Sequence, residues 1–221
     1  MNSTLSTIKP VRRETLQSAV YEQLCELILE GNLAPGESIT VASIAKAFDV
    51  SPMPVREAIS RLMAAGALTV VSGRSIGVPQ LDQSVFTDLR NVRLEIEATA
   101  LRWAISNATE AFHKDLTTKL NIMIKAEQKG EVKGFIRANY EFHFAIYNQA
   151  NSPILLETIS NFWLRINPYF HLLQQFGHYK ISNDQHRELV DGMIQKDETK
   201  AVKALRDDIN SAYATMAAQL G

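Results

Sequence analysis

Val50-Ser51-Pro52-Met53-Pro54-Val55-Arg56-Glu57-Ala58-Ile59-Ser60-Arg61-Leu62 decides how the first part of this chain folds. Ser51 is a good helix N-cap. Pro52 and Pro54 fall in the first turn, where backbone N–H groups lack helical acceptors and proline is tolerated. Val55, Ala58, Ile59, Leu62 and Met63 then recur at three- and four-residue steps, which predicts an amphipathic helix ended by Gly66. Upstream, Thr40 caps a short helix carrying Val41, Ile44, Ala45 and Phe48, broken at Asp49. Before that, Leu16, Val20, Leu24, Leu27 and Ile28 form the stripe of a first helix, stopped at Gly31-Asn32 with Pro35-Gly36 as a turn behind it.

Downstream, Leu68 to Val71 and Ser75 to Val78 flank Ser72-Gly73-Arg74 and read as a β-hairpin. Helix, short helix, turn, helix, hairpin is the order of a winged helix-turn-helix, here over residues 14–79. Residues 1–13 are polar, end in Lys9, Arg12 and Arg13, and read as a flexible basic arm. From Asp82 onward helical periodicity dominates, with helices expected near 82–107, 109–128, 131–150, 152–175, 181–196 and 198–219. The fold class is therefore mainly α: an N-terminal winged helix-turn-helix and a C-terminal all-helical bundle of six to seven helices over 80–221.

Composition narrows the function. The chain has 221 residues, and 23 basic against 24 acidic side chains leave a formal charge of -1, which excludes a general, histone-like DNA coater. A single cysteine, Cys25, excludes a disulfide framework and a thiolate-cluster metal site. No apolar run approaches the roughly 20 residues of a membrane span, and Met1 to Lys9 has no apolar signal core, so a cytoplasmic location away from membranes is expected.

Local charge is more informative than the total. The third helix of a helix-turn-helix enters the DNA major groove by its N-terminal end. Ser51 can donate there to a phosphate, Arg56 and Arg61 can meet phosphate or guanine, and Arg74 tops a wing made flexible by Gly73. Residues 1–78 hold seven cations and seven anions, but four anions lie on or near the first helix while the cations gather in arm, third helix and wing. This polarisation, not net charge, points to double-stranded DNA. Arg61 has an equal alternative, pairing with an acidic neighbour.

In the bundle, polar residues on inward faces need a reason. Asn139 and His143 stand one turn apart among Phe135, Phe142, Ala145 and Ile146, so both share one face and can present two ligands to one ion. His186 and Asp208 lie about equally far from the turn near Lys196-Asp197, so an antiparallel pair brings them level. Arg165 sits among Phe162, Trp163, Leu164 and Ile166, where it either pairs with Glu95 or Glu97 or awaits a ligand carboxylate. Pro168 should kink its helix and could turn Tyr169 and His171 toward a cavity. His113 and His178 read as surface or turn residues.

The run Leu33-Ala34-Pro35-Gly36-Glu37, then Ile44-Ala45, then Val50 to Leu62 resembles the DNA-binding domain of the GntR family of bacterial transcription regulators. The helical region resembles the effector-binding (FCD) domain of its FadR-type subfamily. The resemblance implies a homodimer on a pseudo-palindromic operator, usually a repressor released by a small metabolite. It implies DNA contacts at Ser51, Met53, Pro54 and Arg56, continuing at Ser72, Gly73 and Arg74. Pro52 and Met53 depart from the polar residues common in relatives; Met53 can touch a thymine methyl but reads no hydrogen-bonding edge. Arg93, in Arg93-Leu94-Glu95-Ile96-Glu97, matches an arginine that often faces the family's cavity. A large branch of the family binds a divalent metal through an Asp-x3-His pair and two later histidines. The matching residues here are Asn139, His143, His186 and Asp208, with Asn for the Asp and Asp for the last His. That set suits Zn²⁺, Ni²⁺ or Mn²⁺ and is weaker for zinc than three histidines.

The leading reading is a dimeric, effector-controlled transcription regulator whose small-molecule effector is a carboxylate held by the metal or by Arg93, Arg165 or His171. An enzyme is the second: no nucleophile–base set favours it. In a third, the pocket is metal-free or vestigial and the bundle serves mainly dimerisation.

Overall fold

The computed structural model describes residues 16–80 and 82–219, apart from the side chains of Gln175 and Phe176. The basic arm expected over 1–13, with Lys9, Arg12 and Arg13, lies outside the described residues.

The N-terminal part is α1 (Leu16–Leu29), β1 (Ser38–Thr40), α2 (Val41–Ala47), α3 (Pro52–Ala64), β2 (Thr69–Ser72) and β3 (Ser75–Gly77). Val20, Leu24 and Ile28 of α1 bury against Val55, Ala58, Ile59 and Leu62 of α3. Thr40 caps α2 as expected: its hydroxyl accepts from the Ser43 amide and Ser43 bonds back to Thr40 N–H. Asp49 ends α2 with φ 53, a left-handed conformation that an aspartate tolerates. Ser51 takes the N-cap position of α3, yet its side chain makes no capping bond.

One strand was not foreseen. β1 joins the hairpin to make an antiparallel three-stranded sheet of order β1-β3-β2, pairing Ser38 with Gly77 and Thr40 with Ser75. A three-residue strand is too short to show alternation, so periodicity could not mark it.

The bundle follows: α4 (Gln83–Asn107), α5 (Glu110–Lys129), α6 (Val132–Gln149), α7 (Pro153–Ile166), a 3-10 segment (Asn167–Phe176), α8 (His178–Gln195) and α9 (Glu198–Ala217). The single helix expected over 152–175 is two pieces. Pro168 cannot supply the N–H a continuing α-helix needs, and the chain tightens to 3-10 from Asn167. Helix α8 begins three residues earlier than expected, directly after Gly177 at φ 63. Helices α8 and α9 form an antiparallel hairpin and pack closely along their length. Among the described residues no helix is long and apolar enough to cross a membrane.

Candidate functional site

The buried polar centre of the bundle assembles as the spacings predicted. Helix α6 carries Asn139, His143 and Tyr147 on one inward line; α8 brings His186, α9 brings Asp208, and α4 brings Arg93 and Glu97. All seven are buried. His143 Nε2 lies 3.1 Å from His186 Nε2, and the two rings point these nitrogens at Asp208, at 3.5 Å and 3.4 Å. One ligand atom from each of these three residues falls within 4.8 Å of the other two.

Their chemistry suits a cation. Two imidazole nitrogens 3.1 Å apart, each about 2.0–2.1 Å from a shared zinc, would subtend roughly 100°, near the tetrahedral angle. Asn139 lines the same cavity and adds an amide. Burial pushes the His143 imidazolium toward the neutral, metal-binding form, although the neighbouring Asp208 carboxylate opposes it. Burial alone would raise the Asp208 carboxyl, but the adjoining His186 and His143 rings hold it well below the usual range. The group thus offers a neutral imidazole at His143 and an ionised carboxylate at Asp208, the protonation states that ligation requires.

Outside this triad lies a buried hydrogen-bond chain. Arg93 Nε donates to Glu97 Oε1 at 2.6 Å, and the Tyr147 hydroxyl donates to Glu97 Oε2 at 2.5 Å. Tyr147 Oη sits 3.2 Å from His143 Nδ1. Burial and the neighbouring Glu97 charge raise the Tyr147 phenol well above its ordinary value, so it stays protonated. Arg93 also lies over the Trp163 ring, 5.4 Å from its centroid.

The cavity lined by Arg93, Asn139, His143, Trp163 and Asp208, with Phe135, Phe170, Leu173 and Ser182, has a free volume of about 10 Å³. That is room for about one water or one ion, not for a metabolite. Arg93 does line it, but with its guanidinium committed to Glu97.

Two expected effector residues lie elsewhere. Arg165 pairs with neither Glu95 nor Glu97: Glu97 holds Arg93, and Glu95 holds Arg206 at 2.8 Å. It faces the DNA-reading part instead, where a Cβ placed on Gly66 would stand 3.4 Å from Arg165 Nε. His171 is half-buried and spends Nδ1 on the Pro168 carbonyl of its own turn, 2.8 Å away. Because the 3-10 segment turns Phe170 and Leu173 inward, His171 is left off the cavity wall. His178 is no surface residue. It is 2 % exposed, starts α8, and meets Thr215 at 3.0 Å through Nδ1.

Segment 163–173 joins the two parts. Trp163, Phe170 and Leu173 line the cavity. Between them, Arg165 packs on Gly66, Asn167 donates to the Leu29 carbonyl, and Tyr169 donates to the Pro79 carbonyl at 2.6 Å.

On the DNA-reading part, Ser51, Met53 and Arg56 are exposed at the start of α3, and Ser72, Gly73 and Arg74 at the wing tip. Met53 is 63 % exposed, unusual for a side chain with no polar use in water. Pro54 departs from expectation: its side chain is buried beneath the helix, so it shapes the turn instead of reaching outward. Arg61 departs as well. Its guanidinium lies 3.7 Å above the Tyr21 ring on α1, a cation–π contact that turns it back onto the protein.

A winged helix-turn-helix on a helical bundle with a buried polar centre defines a class: a DNA-binding transcription regulator, not an enzyme. Sequence comparison gives the same answer. The model for bacterial regulatory proteins of the gntR family matches residues 16–78, and the FCD domain model matches residues 88–211. The chain is 32% identical over 165 residues to the HTH-type transcriptional regulator McbR of Escherichia coli K12, covering 75% of each. It is 25% identical to the HTH-type transcriptional repressor NanR of Cronobacter sakazakii, covering 94% of this chain and 87% of that one. The solved structure of E. coli McbR/YncC superposes with a TM-score of 0.87 at 26% identity, over 95% of this chain and 100% of that one. The chain belongs to the GntR family of bacterial transcription regulators and carries an FCD domain.

Proposed function

We propose that this regulator is a repressor that binds a pseudo-palindromic operator as a homodimer, with DNA affinity set by a divalent cation and a carboxylate metabolite at the bundle's polar centre. The observation that carries this reading is the buried convergence of His143, His186 and Asp208, next to a small cavity that His143, Asp208 and Asn139 line. NanR, a relative over most of the chain, is named a repressor, which supports the direction of control.

Ser51, Met53 and Arg56 would enter the major groove, with Ser72, Gly73 and Arg74 on the neighbouring backbone. His143, His186, Asp208 and Asn139 would hold Zn²⁺, Ni²⁺ or Mn²⁺. The bound ion would supply a Lewis-acid point for the metabolite's carboxylate. Trp163, Phe170 and Leu173 must move for a metabolite to enter a cavity this small. Arg165, Asn167 and Tyr169 travel on the same segment, so ligand entry loosens the seat of the DNA-reading part.

The nearly closed cavity favours one second reading, a metal-free centre in a bundle that serves mainly dimerisation. Elemental analysis, and thermal shift with Zn²⁺ and with a chelator, separate the two. Bound metal that disappears in His143→Ala supports the first reading; metal content equal to wild type in that variant refutes it. Arg56→Ala should weaken operator binding without unfolding the protein. Unchanged affinity at physiological salt would remove α3 from the interface.

A further inference from the structure

Outside the ligating triad, the buried arginine and carboxylate among the described residues, Arg93 and Glu97, connect through Tyr147 to His143. The proton count of this chain is closed. Glu97, as a carboxylate, only accepts: Oε1 takes Arg93 Nε at 2.6 Å, and Oε2 takes Tyr147 at 2.5 Å with a longer bond from Arg93 Nη2 at 3.4 Å. The Tyr147 hydroxyl has one proton, and the 2.5 Å contact assigns it to Glu97. Toward His143 the phenol oxygen can therefore only accept, so the proton of this 3.2 Å contact belongs to His143 Nδ1. A neutral imidazole has one N–H, which leaves Nε2 as a lone pair. That lone pair faces His186 Nε2 at 3.1 Å and the Asp208 carboxylate at 3.5 Å. The lone pair and the Asp208 carboxylate are both acceptors, and His186 Nε2 is the one neighbouring ring atom that could give a proton to either, so a cation placed there would satisfy both at once.

We propose that Arg93, Glu97 and Tyr147 are positioning residues that lock His143 as the Nδ1–H tautomer, and so dedicate its Nε2 to cation ligation. The assignment of a cation rests on the function proposed above; the tautomer does not. Arg93 thereby has a fixed internal task, which explains why a cavity-lining arginine is committed to Glu97. The order of groups also sets the polarity of the chain. Arg93 fixes the near oxygen of Glu97 as an acceptor, so a glutamine there would turn its amide toward Tyr147. The Tyr147 hydroxyl would then donate to His143 Nδ1 and force the proton onto Nε2, where it blocks the ligand position.

The test uses the full-length protein labelled with ¹⁵N in histidine. Two-bond nitrogen–carbon-bound proton correlations, recorded after chelator treatment, read the His143 tautomer with no metal present. Zn²⁺ affinity is measured separately against a chelating dye. Wild type should show Nδ1–H. Tyr147→Phe, which keeps the ring and removes the acceptor, should lose that preference and bind Zn²⁺ about 10–100-fold more weakly, the usual effect of deleting an outer-shell partner. Glu97→Gln should switch His143 to Nε2–H; if it fails to fold, Tyr147→Phe decides alone. An Nε2–H tautomer in metal-free wild type overturns the proposal, as does Zn²⁺ affinity unchanged in Tyr147→Phe. Wild type with Nδ1–H that takes up no Zn²⁺ upholds the tautomer lock and refutes the cation reading.

Discussion

Gly192→Ala tests whether the geometry of the polar centre is set by how closely α8 and α9 approach. A Cβ on Gly192 would lie 2.7 Å from the Ala201 nitrogen and 2.9 Å from its Cα and Cβ. Carbon contacts settle near 3.5–4.0 Å, so the helices must part by about 1 Å. The atoms in the way are mostly backbone, which cannot rotate aside. The two helices are joined at Lys196-Asp197, and parting at Gly192 therefore opens them about that turn. Gly192 stands about 6 Å of helix from the turn and His186 about 15 Å, at 1.5 Å per residue. An opening of about 1 Å at Gly192 then grows to roughly 2.5 Å at His186, lengthening the 3.4 Å approach of its Nε2 to Asp208. Overpacking costs about 1–3 kcal/mol, and alanine's better helix propensity returns up to about 1 kcal/mol. The net should lower Tm by a few degrees, at about 2–4 °C per kcal/mol for a chain of this size. Thermal unfolding and Zn²⁺ titration are the assays, with Gly134→Ala as control, since a Cβ there meets nothing closer than the Glu131 Cβ at 3.4 Å, an ordinary contact. A Gly192→Ala protein as stable as wild type, with equal Zn²⁺ affinity, would refute the close-approach argument.

Arg93→Ala should destabilise by about 3–5 kcal/mol, because it strands the Glu97 carboxylate in the interior; equilibrium urea unfolding measures it, and a loss under 1 kcal/mol would mean Glu97 is not held by Arg93. Tyr169→Phe removes the bond to Pro79 and should cost about 1 kcal/mol. It should also shrink the difference in operator affinity between Zn²⁺-loaded and chelated protein; a full-sized difference by fluorescence anisotropy would take the segment out of the coupling route. Burial raises the Cys25 thiol, with a bond to Tyr21 opposing, so alkylation at neutral pH should be slower than for glutathione. Tyr21→Ala should speed it by uncovering the thiol, and an equally slow reaction would contradict this.

The winged helix and the helix pair α8–α9 were legible because amphipathic spacing and turn symmetry are short-range. Asn139, His143, His186 and Asp208 meet for the same reason: an i, i+4 pair and two residues level across a hairpin need no long-range information. The rest of the chain behind His143 was half visible. Tyr147 continues the line of Asn139 and His143, and Glu97 stands four residues after Arg93 on α4. What no spacing reveals is that α4 and α6 cross there, so Arg93 was read as a ligand for a metabolite. Arg165 and Arg61 were misread for a related reason. A guanidinium on a helix has several reachable partners, and the choice depends on which neighbour packs against it. His178 was missed because Gly177 was read as the middle of a break; once α8 starts there, His178, Ser182 and His186 form an evident i, i+4, i+8 line.

The closed cavity sets a thermodynamic condition on control. A ligand that binds only an opened form must supply the opening cost from its own affinity, and it shifts DNA binding only as far as it discriminates between the two forms. Trp163 packs near His143, with ring centroids 5.2 Å apart. Moving it disturbs the polar centre and, through Arg165 two residues on, the end of the DNA-reading helix at Gly66. The neutral overall charge fits this arrangement. A protein held on DNA by bulk positive charge would answer mainly to salt. One that reads through a few exposed groups on α3 and a wing, as proposed above, would depend on how its reading parts are placed, and segment 163–173 is the stretch that touches both parts.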